Sequence, residues 1–97
     1  MFDLEDKEDA LENAVRLQVL INAGAWSFEG SVGRAMMRAI EAGECALGHR
    51  RARDAYGNTI PGRGDVAQGT KGSIDFVRDR CGDEWLAAIQ AIGSITA

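Results

Sequence analysis

The sequence predicts an α+β fold, mostly α: three to four helices around one core, with a small antiparallel β-hairpin in the middle. Three observations carry that expectation. Apolar residues recur at helical spacing in the first forty or so positions and again after position 73. Between them, 44–72 is rich in glycine, holds the only proline, and alternates polar with apolar residues. At 97 residues there is room for one domain, 1–97, and one modest core.

The elements follow in order. Asp3 is placed to cap a first helix from about Leu4 to Ala23, in which Leu4, Leu11, Val15, Gln18 and Ile21 or Asn22 form a stripe that Leu17 and Leu20 widen. Gly24 suits the left-handed conformation that ends such a helix. Ser27 or Ser31 is expected to cap a second helix. There Val32, Ala35, Met36, Ala39 and Ile40 face inward, Arg34 and Arg38 face outward, and Gly43 stops the chain. In the irregular region 44–72, the stretch 44–53, a turn at Asp54-Ala55-Tyr56-Gly57, and Asn58-Thr59-Ile60 predict the hairpin. Pro61 to Asp65 reads as a surface loop. Ser73 is expected to cap a short helix, Ile74 to Cys81, stopped by Gly82. Asp83 is expected to cap a last helix with Trp85, Leu86, Ile89 and Ile92 on its apolar side, ending at Gly93 and leaving 94–97 as a frayed tail. Trp26 and Trp85 read as core anchors, with interface anchors as the alternative, and Met36-Met37 as one core side chain and one at the core's edge or in a partner's groove.

Charge is polarised along the chain: residues 1–29 carry −5, 30–80 carry +3, and 81–97 carry −2. The acidic N-terminal region and the lack of an apolar run near ~18 residues predict neither secretory signal nor membrane span, hence a cytoplasmic protein. Cys45 and Cys81 read as free thiols. With His49 as the only histidine, zinc has too few ligands, and no cofactor is expected. The stretch from Gly64 to Lys71 departs from a phosphate-binding loop, because Thr70 separates Gly69 from Lys71 and no apolar strand leads in. No serine or cysteine stands in a nucleophile context, and His49 beside three arginines is a poor general base, so no enzymatic activity is expected.

Two charged clusters remain as candidate binding residues. Asp3, Glu5, Asp6, Glu8, Asp9 and Glu12 fall within ten positions relieved only by Lys7. Carboxylates in a first helical turn favour the helix dipole by ~0.3–1 kcal/mol each, which accounts for Asp3, Glu5 and Asp6 but not for the next turns. Glu8, Asp9 and Glu12 add like-charge repulsion there and so point to a basic partner, with Glu5, Asp9 and Glu12 in a row whose ~6 Å steps imitate a phosphate backbone. The bland alternative is a solvated face kept for solubility. The second cluster is Arg50, Arg51 and Arg53 with Tyr56 and Arg63, a pattern that holds phosphate or RNA elsewhere. Alternatively, its arginines pair with the acidic helix of the same molecule.

Taken whole, and most of all in the stretches from Phe2 to Glu12 and from Asp54 to Arg63, the chain resembles the anti-CRISPR proteins encoded by phages and mobile elements, the type I inhibitors above all. Those proteins share no common motif. The resemblance implies a non-enzymatic inhibitor in the bacterial host cytoplasm that binds an RNA-guided surveillance complex, often at lysine-rich surfaces that otherwise hold target DNA. The alternatives are a small phage or plasmid nucleic-acid-binding regulator using Arg50 to Arg53, or a mobile-element assembly protein.

Overall fold

A computed structural model describes residues 4–26 and 30–96, with side chains over 9–26 and 30–91. Four helices, α1 (Leu4–Asn22), α2 (Gly30–Ala42), α3 (Ile74–Cys81) and α4 (Asp83–Thr96), surround one core, and a two-stranded antiparallel sheet of β1 (Ala52–Arg53) and β2 (Thr59–Ile60) sits in the middle of the chain. The fold is the expected mostly-α domain with a small hairpin. No described helix is long and apolar enough to cross a membrane.

Helix α1 packs against both α2 and α4, and α3 packs on α4. The inward side of α1 is the stripe Ala14, Gln18 and Ile21, with Leu11, Val15, Leu17 and Leu20 half-buried around it. Gly24 and Gly43, at φ +73 and +79, end α1 and α2 in the left-handed conformation that a side chain disfavours. Met36 is wholly buried and Met37 lies at the core edge, while Trp26 and Trp85 are both core residues. The Trp85 indole also donates to the Glu44 carbonyl at 2.9 Å, tying α4 to the segment after α2.

That segment departs from expectation. The strand read into 44–53 shrinks to two residues, because Cys45, Ala46 and Leu47 are buried as irregular backbone and take their hydrogen bonds elsewhere. Gln18 of α1 supplies two of them: its Oε1 accepts from Ala46 N at 2.9 Å, and its Nε2 donates to Ala46 O at 3.0 Å. Leu47 N donates to Gly72 O at 2.9 Å. The Cys45 thiol donates to the Ala14 carbonyl at 3.2 Å, and burial pushes it up to about 12, which makes it an inert packing group. Cys45 and Cys81 are both thiols rather than halves of a disulfide.

Smaller corrections concern caps. Ser31 lies inside α2 and caps nothing, and Asp3 and Ser27 lie outside the described residues. Ser73 caps α3 as expected, accepting from Phe76 N, but Asp83 is the first residue of α4, where it accepts from Arg78. Helix α4 runs through Gly93 to Thr96, since one glycine within an apolar helix costs only about 1 kcal/mol. The Pro61–Asp65 loop closes into a 3-10 turn over Arg63–Asp65 on a buried Gly62.

Candidate functional site: an acidic helix face and a basic hairpin

On α1 the burial of Ala14, Gln18 and Ile21 turns Asp9, Glu12, Asn13 and Arg16 outward. Asp9 and Glu12, three residues apart, are neighbours on one face with Cβ atoms ~5–6 Å apart. Neither makes an ion pair or side-chain hydrogen bond among the described residues; the ion pairs there are Arg51–Asp65, Arg78–Asp75 and Arg78–Asp83. Arg16, one turn beyond Glu12, ends the acidic row. The side chains of Glu5 and Glu8 lie outside the described residues, although both positions belong to α1. Beside the acidic face, α1 and α4 leave a groove of about 530 Å³ lined by Leu11, Glu12, Val15, Arg16 and Ala88. The sequence did not point to this groove, because it depends on which face of α4 meets α1.

The hairpin is built differently. Ala52 pairs with Ile60 and Arg53 with Thr59; the first pair turns toward the core and the second toward solvent. Asp54 fastens the turn, its Oδ1 accepting from Tyr56 N and Asn58 N at 2.9 Å each, and Gly57 at φ +82 closes it. This fixed turn leaves Tyr56 85% exposed. At the base, Arg51 makes a two-point pair with Asp65, Nε to Oδ2 at 2.9 Å and Nη2 to Oδ1 at 3.0 Å. Asp65 Oδ2 also accepts from Gly62 N at 2.9 Å. Arg63 is half-buried: its backbone N donates to Gly48 O at 2.8 Å and its Nε to Leu47 O at 3.0 Å. Burial without a carboxylate partner lowers its affinity for a proton.

The two clusters do not meet. The hairpin packs at the far end of α1, where a Cβ on Gly48 would stand 2.9 Å from the Ile21 carbonyl and Gly24 approaches Ala52. At ~1.5 Å per residue, Ile21 lies ~14 Å from Glu12 and ~18 Å from Asp9 along the helix axis. Pairing of Arg50, Arg51 or Arg53 with the acidic helix is therefore corrected: Arg51 takes Asp65, and Arg50 and Arg53 are exposed with no ion pair among the described residues. The Asp65 partnership was not legible because the 3-10 turn that swings the carboxylate under Arg51 leaves no periodic trace. In the loop from Gly64 to Lys71, Gly69 N donates to the hydroxyl of the α3 cap Ser73 and Thr70 N to Ala67 O.

Hydrogen bonds from Arg51 and Gly62 hold the Asp65 carboxyl down to about 2, from an ordinary 3.8. A depressed carboxylate contributes its stabilisation above the ordinary value and loses it as pH falls through the folded one. The Gly62 amide resonance should therefore shift between about pH 3 and 1, with a midpoint near 2, and the Asp65→Asn variant should show no such step. A Gly62 midpoint near 3.8 would mean that the bonds from Arg51 and Gly62 do not hold the carboxylate in solution.

No protein-family model, curated protein or solved structure matches this chain. The arrangement itself defines a small α+β domain that presents an acidic helix face at one end and an arginine-bearing hairpin at the other.

Proposed function

We propose that this chain is a non-enzymatic inhibitor, an anti-CRISPR protein of the type I class, whose α1 carboxylates bind lysines or arginines of an RNA-guided surveillance complex and block target DNA. The observation that carries this reading is that Asp9 and Glu12 stand side by side, exposed and in no ion pair among the described residues, with Arg16 one turn on as the cation that bounds them. Exposed like charges in the second and third turns of a helix weaken it unless something outside satisfies them. The adjoining groove offers a lysine's aliphatic stem Leu11, Val15 and Ala88 and its ammonium the Glu12 carboxylate, with Arg16 as the opposing charge in the lining. A surface that holds a phosphate backbone supplies lysines in rows, so the protein competes with DNA for the same contacts. It acts stoichiometrically and without a cofactor.

The test is a titration against a purified type I surveillance complex, reading retention of labelled target duplex. Retention should fall to zero near one equivalent per binding site. Reversing Glu8, Asp9 and Glu12 to lysine should weaken inhibition by about 2 kcal/mol or more, roughly 30-fold in Kd, while leaving a folded chain. Unchanged affinity in that folded variant sinks the acidic-face reading.

A further inference from the structure

We infer that the hairpin arm is a second, separate binding site, and that it takes single-stranded nucleic acid along the line Tyr56, Arg53, Arg50 and Arg63. Tyr56 lies in the turn at the tip, Arg53 on β1, and Arg50 and Arg63 at the base, where a Cβ on Gly62 would stand 3.1 Å from the Arg50 carbonyl carbon. A surface this small suits only a few nucleotides, the lower end of known single-strand sites. Three features make the arm a prepared surface. First, Asp54 clamps the turn from two backbone donors, so the exposed Tyr56 ring is presented on fixed backbone and contacts no other ring among the described residues. Second, Arg63 is anchored through its backbone N and Nε to Gly48 and Leu47. No buried side-chain nitrogen among the described residues lacks a partner, so the Nη groups of Arg63, which bond to none of the described residues, touch solvent while Nε holds the guanidinium in place. Third, Arg50 and Arg53 are exposed and pair with no carboxylate among the described residues, while Arg51 is occupied in holding Asp65 and thereby the base of the arm.

Within the arm, Asp65 is neutralised by Arg51 and the Asp54 carboxylate is occupied by the N–H groups of Tyr56 and Asn58. The α1 carboxylates lie ~14 Å or more away along the helix, beyond the screening length of ~8 Å at physiological salt. An acidic peptide would satisfy the arginines equally well but leaves the tyrosine face unused, whereas every base offers a π-face to stack on it. That difference favours nucleic acid over an acidic protein as the occupant.

The experiment is fluorescence anisotropy of labelled twelve-nucleotide oligothymidine and oligouridine with the full chain, from low to physiological salt. Saturable retention of either strand is expected, with log K falling against log salt with a slope of about −2 for three phosphate contacts. Arg50→Glu with Arg53→Glu should weaken retention at least tenfold. Tyr56→Ala should weaken it severalfold without changing the slope, since stacking releases no counterions. Each variant is first shown by circular dichroism to keep the parent's melting profile; all three positions are exposed. Asp9→Asn with Glu12→Gln should leave retention unchanged, so this site and the acidic face fail or stand independently. No retention at low salt overturns the proposal. So does displacement by polyglutamate as readily as by unlabelled strand with Tyr56→Ala silent, which would assign the arm to an acidic protein.

Discussion

Gln18→Leu is expected to destabilise the protein by roughly 2–6 kcal/mol, although the substitution puts a larger apolar group on the apolar side of α1. Gln18 is 1% exposed and Ala46 is fully buried. The glutamine amide acts toward Ala46 as a neighbouring strand would, accepting its N–H and donating to its C=O. Leucine leaves both backbone groups without a partner in a place water does not reach, and each such group costs about 1–3 kcal/mol. The third bond, from Gln18 Nε2 to Asn22 Oδ1, is only part-buried, and water can replace it. At ~4–8 °C per kcal/mol for a domain of this size, melting should fall by about 10 °C or more. Asn22→Ala, which removes the outer bond alone, should cost no more than about 1 kcal/mol. Chemical denaturation of both variants decides the matter: a Gln18→Leu protein within 0.5 kcal/mol of the parent would mean that Ala46 finds another partner.

The same residue shows what the sequence made legible and what it hid. Gln18 was readable as a member of the inward stripe because helical spacing assigns faces regardless of polarity. Its partner was not readable, since the contact joins positions 28 apart through a stretch with no period at all. Helices α1 to α3 were legible from stripes and glycine stops, and α4 was legible at its start but not at its end, because Gly93 carries no positive-φ requirement inside a helix. The strand read into 44–53 failed for a related reason: polar-apolar alternation marks extended chain, but whether that chain pairs with a strand or with a helix side chain is a tertiary matter. Of the candidate site, exposure at Asp9 and Glu12 was legible from the opposite face of α1. The split among the arginines was not, because Asp65 and the Leu47 carbonyl become their partners only when the 3-10 turn folds under the hairpin.

Gly72→Ala is expected to cost about 2–5 kcal/mol, the second large effect, and a graded series of glycines separates its two causes. Gly72 sits at φ +94, where a side chain costs ~1–2 kcal/mol. Its new Cβ would also stand 2.5 Å from Leu47 Cδ1 and 2.8 Å from Leu47 Cγ, and forcing a methyl into a filled core adds ~1–3 kcal/mol. The backbone has little freedom to retreat, because Gly72 O accepts from Leu47 N at 2.9 Å and the next residue is the buried Ser73 cap of α3. Gly69, at φ +85 with open space around it, isolates the conformational part, so Gly69→Ala should cost only ~1–2 kcal/mol. Gly64 has neither a positive φ nor a near neighbour, and Gly64→Ala should fall within about 0.5 kcal/mol of the parent. Leu47 carries the carbonyl that anchors Arg63, so displacing its side chain reaches the hairpin as well. Oligonucleotide retention, measured where each variant is still folded, should therefore weaken in Gly72→Ala and stay at the parent value in Gly64→Ala. Equal losses of stability at 69 and 72 would show that Leu47 yields freely and that the packing between this loop and the base of the arm is loose.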